Sequence, residues 1–282
     1  MRTILLIIIC HFVLVCYAQK QQPIEPAILE VYYTLQMVKD TLDREKKWED
    51  MMVLRIGNKS SQFFNRNRFY GDSLATDPEG KKLWGKMMTQ AIRQRNFDAM
   101  PGSKTMGNYI YKNYPDGKTT TTEQLLTDFF QYEEDFQPQA WQIRDSVKQI
   151  LDFTCQKATC DFRGRHWTVW FTPDIPISNG PWKLTGLPGL ILEAYDTFKD
   201  YHYRVNGIKQ TALVPVTFYN FDEKKFIRTD RISFLKADRK LRDSNDPMRE
   251  IEAATGIDLS GGKASGPKEK RTNYDFIERD YR

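Results

Sequence analysis

Residues 166–172 read His-Trp-Thr-Val-Trp-Phe-Thr. In an extended chain, successive side chains point to opposite faces. His166, Thr168, Trp170 and Thr172 therefore share one face, and Trp167, Val169 and Phe171 share the other. Residues 150–162 also read as a strand, and Arg163-Gly164-Arg165 between the two runs is a short hairpin turn. Residues 190–195 and 201–205 repeat the arrangement around a turn at 196–200. Strands joined by links this short pair antiparallel, because a parallel neighbour needs a crossover of about a dozen residues or more. Regular strand–helix alternation is missing, which argues against a doubly wound sheet.

Other segments extend the pattern. Residues 28–38 and 48–56 read as strands flanking a charged turn or hairpin tip, and 60–70 as a third extended stretch. Residues 108–123 form a hairpin around Pro115-Asp116-Gly117, where Pro fixes one torsion and Gly accepts a positive φ. Residues 125–132 and 140–143 are further strands split by Pro138, and 201–205 is expected to continue toward a run at 214–221. Residues 174–189 carry Pro176, Pro181, Pro188, Gly180, Gly186 and Gly189, so they form an ordered loop rather than a regular element.

Residues 71–97 change character. Leu83, Trp84, Met87, Met88, Ala91 and Ile92 recur at three- and four-residue spacing, which predicts an amphipathic helix capped by Asp77 with Pro78 at its first position. Met87 and Met88 are expected in its packed face. Residues 233–249 are partly helical in pattern, and 260–271 are rich in Gly, Ser and Lys, a flexible surface stretch. The fold class is mainly β with some α: a single large twisted antiparallel sheet with a helical insertion at about 76–97. An open, half-barrel-like sheet is one form of it, and closure is not readable from the pattern. The β-rich domain spans 19–259, and 260–282 holds the flexible stretch and a tail that docks through Tyr274, Phe276 and Ile277.

The first eighteen residues read as an address. Met1-Arg2 is followed by an almost wholly apolar run at 4–15, then Cys16-Tyr17-Ala18 and an abrupt polar turn at Gln19, the pattern of a secretory signal cleaved after Ala18. A retained anchor would need roughly 20 apolar residues. A lipidated Cys16 would want a small residue before it, where Val15 stands. No transmembrane span is expected after signal removal. Aromatic content of 13% beside 28% charged residues argues against disorder, and a net charge of +5 is too diffuse to imply nucleic acid.

Candidate chemistry is sparse. Past the signal the cysteines are Cys155 and Cys160, and the histidines His166 and His202. Five residues apart on a flat strand, the cysteines lie on opposite faces about 16 Å apart. A disulfide needs Cα atoms within about 7 Å and hence a bulge between them, the alternative being two buried free thiols. A thiol nucleophile with a histidine base, or a Cys/His metal site, could be built from these four residues, but the spacing does not demand either. No cofactor is implied. Glu133-Glu134-Asp135 is an acidic run that reads as a solvated loop before it reads as a cation site. Arg163 and Arg165 are a charged hairpin tip, or a fork for a carboxylate or other anion.

The block Phe162-Arg-Gly-Arg165, Trp167 to Pro176, Gly180-Pro-Trp-Lys183 and Gly186-Leu-Pro-Gly-Leu-Ile191 resembles the GLPGLI family of exported Bacteroidota-type proteins. Tyr274-Asp-Phe-Ile-Glu278 stands where members of that family carry an aromatic-Asn-Pro-Ile-Glu ending, with Asp275 and Phe276 departing from it. The resemblance implies an envelope location, periplasmic or at the outer membrane, and an outer-membrane or TonB-dependent transport protein as partner. It implies no reaction. Within the block, Leu187-Pro188-Gly189-Leu190 has the residues of a type II turn. One reading has this loop plug an end of the sheet's apolar face. The other has Trp167, Trp170 and Trp182, with Leu187, Pro188, Leu190 and the two arginines, line a groove for an apolar ligand or partner segment. The expected function is non-enzymatic binding or scaffolding, the alternative a thiol- or metal-dependent envelope enzyme.

Overall fold

The computed structural model describes residues 21–94, 96, 102, 104–243 and 273–281. The expected signal segment, the flexible stretch at 260–271 and the end of the 233–249 run lie outside the described residues.

The central hairpins form as the alternation requires. β9 (Phe153–Phe162) pairs with β10 (Arg165–Thr172), β10 with β11 (Leu190–Asp196), and β11 with β12 (Tyr201–Lys209), all antiparallel. β2 (Leu29–Val38) and β3 (Lys47–Ile56) pair from Leu29↔Ile56 to Val38↔Lys47. β4 (Ser61–Asn65), β5 (Tyr109–Lys112), β6 (Lys118–Leu125) and β7 (Asp128–Asp135) follow by antiparallel pairing. β8 (Gln142–Ile150) flanks β9 at one edge, and β14 (Phe226–Arg228) pairs parallel with β7 at the other. The result is one open twelve-stranded sheet, ordered β14-β7-β6-β5-β4-β3-β2-β12-β11-β10-β9-β8.

The sheet curls strongly. Arg163 in the β9–β10 turn reaches Glu134 on β7, although β9 and β7 lie near opposite ends of the order. Phe63 on β4 meets Tyr203 on β12 edge-on at 5.9 Å. The interior is filled by Tyr33, Leu35, Leu54, Phe63, Trp167, Val169, Phe171 and Ile175, Trp182, Leu184 and Leu187 of the 174–189 loop. Trp167, Val169 and Phe171 are buried and His166 is exposed, the two faces that the alternation assigns.

Some expectations are corrected. The 60–70 stretch is a strand only to Asn65, because the Asn65 side chain accepts from the Asn67 and Arg68 backbone amides and caps α1 (Arg66–Leu74). The 214–221 run does not continue β12. β13 (Val216–Tyr219) pairs with β1 (Gln21–Glu25) in a separate two-stranded sheet. Glu134, expected in a solvated loop, lies in β7 and is ion-paired. α2 (Pro78–Arg93) starts at the Asp77 cap, whose carboxylate accepts from the Gly80 amide at 2.8 Å. It packs chiefly on α1, so its buried positions are Gly80 and Ala91 while Met87 and Met88 are only half-buried. α3 (Arg231–Arg242) lies against β7 and the docked tail, with Phe234, Leu235, Tyr132, Phe276 and Tyr281 as a small core.

Candidate functional site

The residues singled out by the sequence fall into three separate places. Trp167 and Trp182 are wholly buried, their rings 5.6 Å apart inside the curled sheet. Leu187 and Leu190 are buried beside them, while Pro188 is exposed. Trp170 lies on the opposite face of β10, half-buried, with the Lys148 ammonium 4.4 Å from its ring. The three indoles therefore do not converge on a common groove.

The 174–189 loop closes an end of the interior, and its glycines are set by room. A Cβ at Gly189 would lie 2.1 Å from the Thr172 carbonyl oxygen, and one at Gly180 would lie 2.8 Å from Ile191 Cβ. The expected type II turn is not made. Gly189 N–H donates to Leu187 O at 2.8 Å, a tighter three-residue turn, and the positive φ belongs to Gly186 instead. Lys112 of β5, 1% exposed, reaches across the interior and donates to Gly180 O (2.7 Å) and Leu184 O (3.3 Å). Burial pulls its ammonium down to about 7.

The arginines contact carboxylates, and those carboxylates are the protein's own. Arg165 is buried and pairs with Asp196 and with Asp275 of the tail (2.6 Å). Its remaining donors bind Ile277 O and Phe276 O at 2.8 and 2.6 Å. Arg163 pairs with Glu134 at 2.9 Å and Asp280 at 3.2 Å. Lys183, from the loop, bridges Glu134 (2.8 Å) and Glu278 (2.6 Å), and Arg231 of α3 completes the cluster on Glu278 at 2.6 Å. Burial alone would raise the Glu134 carboxyl, but the Lys183 and Arg163 charges outweigh it and hold it below the usual range. Hairpin tip, loop, β7, α3 and tail are thus tied at one charge-compensated junction. Asp275 and Phe276 of the tail take part in it: Asp275 through Arg165 and Arg279, and Phe276 by packing under Arg239, 4.2 Å from its guanidinium.

Cysteines and histidines are not brought together. Both thiols are free and buried, pushed by burial to about 11 for Cys155 and about 12 for Cys160. Cys160 sits opposite Trp167 on the inner face, whereas His166 pairs with Asp161 on the outer one. His202 contacts Glu193 at 2.7 Å on β11, and β12 is three strands from the Cys155 strand, about 14 Å by sheet spacing. Burial would raise Glu193, but hydrogen bonds from His202 and Lys148 bring it down to about 2.

A concavity unforeseen in the sequence lies on the other side of the sheet, between α1, β5–β7 and the segment after β13. It is a narrow cleft of about 60 Å³. Tyr109, Phe129, Tyr219, Phe221 and Phe226 line it, and Tyr219 and Phe221 stack at 5.2 Å. At its polar end the Tyr109 hydroxyl donates to Asp72 (2.7 Å), which also pairs with Arg68 at 2.7 Å. Burial and the Asp72 charge push the Tyr109 phenol well above its ordinary value. The Asn220 side-chain oxygen in the lining is buried and makes no hydrogen bond with the described residues, an unsatisfied acceptor at a ring-lined wall. The aromatic residues come from β5, β7, β13, the 3-10 turn Phe221–Glu223 and β14, so no single local pattern announces the cleft.

Comparison with known proteins adds a short match. Residues 162–193 match a family described as a protein of unknown function (Porph_ging), consistent with a Bacteroidota-type family protein. The matched segment runs from the β9–β10 tip through the loop into β11. Two solved structures, of PNGF-II in C2 and P21 space groups, align with TM-scores of 0.47 at 13% and 11% identity. Each alignment covers 75% of this chain and 33% of the other, so the chain spans about a third of the length of the structures it matches. No curated protein matches the chain. Among the described residues, no helix is long and apolar enough to cross a membrane.

Proposed function

We propose that this is an exported, GLPGLI-type envelope protein whose role is binding, and that the ring-lined cleft is where it binds. The observation that carries the reading is the cleft: five aromatic side chains around a small concavity, a polar end in which Tyr109 and Arg68 both donate to Asp72, and a buried unsatisfied acceptor at Asn220. Its size suits one apolar side chain of a partner segment or a small apolar ligand. The N-terminal pattern supports export, and the resemblance supports an outer-membrane or TonB-dependent transport protein as partner. The signature loop fills the interior, so binding on this account takes place at the outside of the sheet.

Affinity capture of the processed protein from its native envelope, with mass spectrometry of proteins and small molecules, tests the reading. A stoichiometric transport protein or apolar ligand should be retained by the native chain and lost on Phe226→Asp. Retention by both chains would overturn the cleft as the site. Recovery of metal alone, lost on Cys155→Ser with Cys160→Ser, would favour the thiol- or metal-dependent alternative.

A further inference from the structure

Among the described residues, the packing of α2 on α1 leaves two of its stripes largely exposed. At about 100° per residue, Trp84, Met88 and Ile92 fall on one line along the helix. Trp84 is 40% exposed and Ile92 54%, with Leu83 beyond the packed seam at 43%. The seam itself is narrow. It runs through Gly80, where a Cβ would lie 2.2 Å from the Leu74 carbonyl oxygen, and through buried Ala91. Lys82, Lys86 and Arg93 form a second exposed line, and Lys81 lies within the apolar stripe. Of the charged residues in Pro78–Arg93, four are cations, and Glu79 in the first turn is the acid.

A cationic helix with exposed Trp84 and Ile92 on one line with half-buried Met88 matches the composition of helices that lie in a bilayer interface. There Trp sits at headgroup level, and Lys and Arg extend their stems back to lipid phosphates. The excess of positive charge complements a surface of repeated negative charge rather than an apolar groove alone. We propose that α2 is an interfacial helix that seats the protein on an anionic lipid surface, with Trp84, Met88 and Ile92 at the headgroup–acyl boundary and Lys82, Lys86 and Arg93 on the phosphates. The proposal is independent of the cleft: vesicle binding needs no protein partner, so either reading can fail alone.

The test uses the chain left by the expected cleavage after Ala18, which contains every described element. It is sedimented with phosphatidylcholine vesicles and with mixed phosphatidylglycerol–phosphatidylcholine vesicles. Binding should require the anionic lipid and weaken with salt. Lys82→Glu with Lys86→Glu and Arg93→Glu should weaken it on the order of 100-fold. Trp84→Ser with Ile92→Ser should weaken it at least about tenfold. If those chains do not fold, brominated lipid added to the native chain should quench tryptophan fluorescence, and Trp84→Phe should abolish the quenching. Equal binding by native and variant chains, no binding to anionic vesicles, or a Trp84-dependent dimer without vesicle binding would each overturn the proposal.

Discussion

Lys112 offers a sharp test of the way the signature loop is held. Its ammonium is 1% exposed and donates to two carbonyl oxygens of the loop, Gly180 O and Leu184 O. Burial lowers it to about 7 in the folded chain, against about 10.4 unfolded. Between these values the unfolded chain binds about one more proton than the folded one. The contribution of Lys112 to stability therefore rises with pH across the window, at about 1.4 kcal/mol per unit, and is flat below about 7 and above about 10.4. Lys112→Met keeps the bulk and removes the proton. Denaturant unfolding of both chains at matched pH cancels the other titrations. From about pH 7.5 to 9.5 the stability of the native chain relative to the variant should rise by roughly 2–3 kcal/mol. Parallel stability curves over that range would refute the buried, loop-bound lysine.

Two further outcomes follow from the same packing. Arg165→Met leaves the buried Asp196 carboxylate without its cation and Asp275 with Arg279 as its remaining one, and should cost about 3–5 kcal/mol in denaturant unfolding at neutral pH. Gly189→Ala places a methyl 2.1 Å from the Thr172 carbonyl oxygen and must move the backbone. A loss of about 1–3 kcal/mol or more is expected, and a neutral effect would contradict the close approach of the loop to the end of β10.

The sequence made some elements legible because their local chemistry is unambiguous. The alternation at 166–172 sorts buried Trp167, Val169 and Phe171 from exposed His166, and Asp77-Pro78 marks the start of α2. β8 was foreseen only at 140–143, because Gln-Ile-Arg-Asp-Ser-Val-Lys-Gln-Ile shows no apolar alternation: it is an edge strand, exposed along almost its whole length. α1 was hidden by the aromatic residues of 63–70, since the deciding feature is a single cap at Asn65. The site was less legible than the fold. Arg165 meets Asp275 from 110 residues away, and no local spacing encodes that pair. The cleft likewise draws its rings from β5, β7, β13, the turn at Phe221–Glu223 and β14. The residues of Leu187-Pro188-Gly189 point to a torsional need for glycine, whereas Gly189 is required by contact with Thr172.

The central structural claim is that the tail latches the signature loop and hairpin tip into the open sheet. Hydrogen exchange of a chain ending at residue 272, compared with the full chain, tests it most directly. Loss of Asp275 and Glu278 removes one of the two carboxylate partners of Arg165 and of Lys183, leaving Asp196 and Glu134. Protection should fall at the Arg163–Gly164 turn and across 180–187, and should stay unchanged in β2 and β3. Unchanged protection at the turn and the loop would contradict the latch.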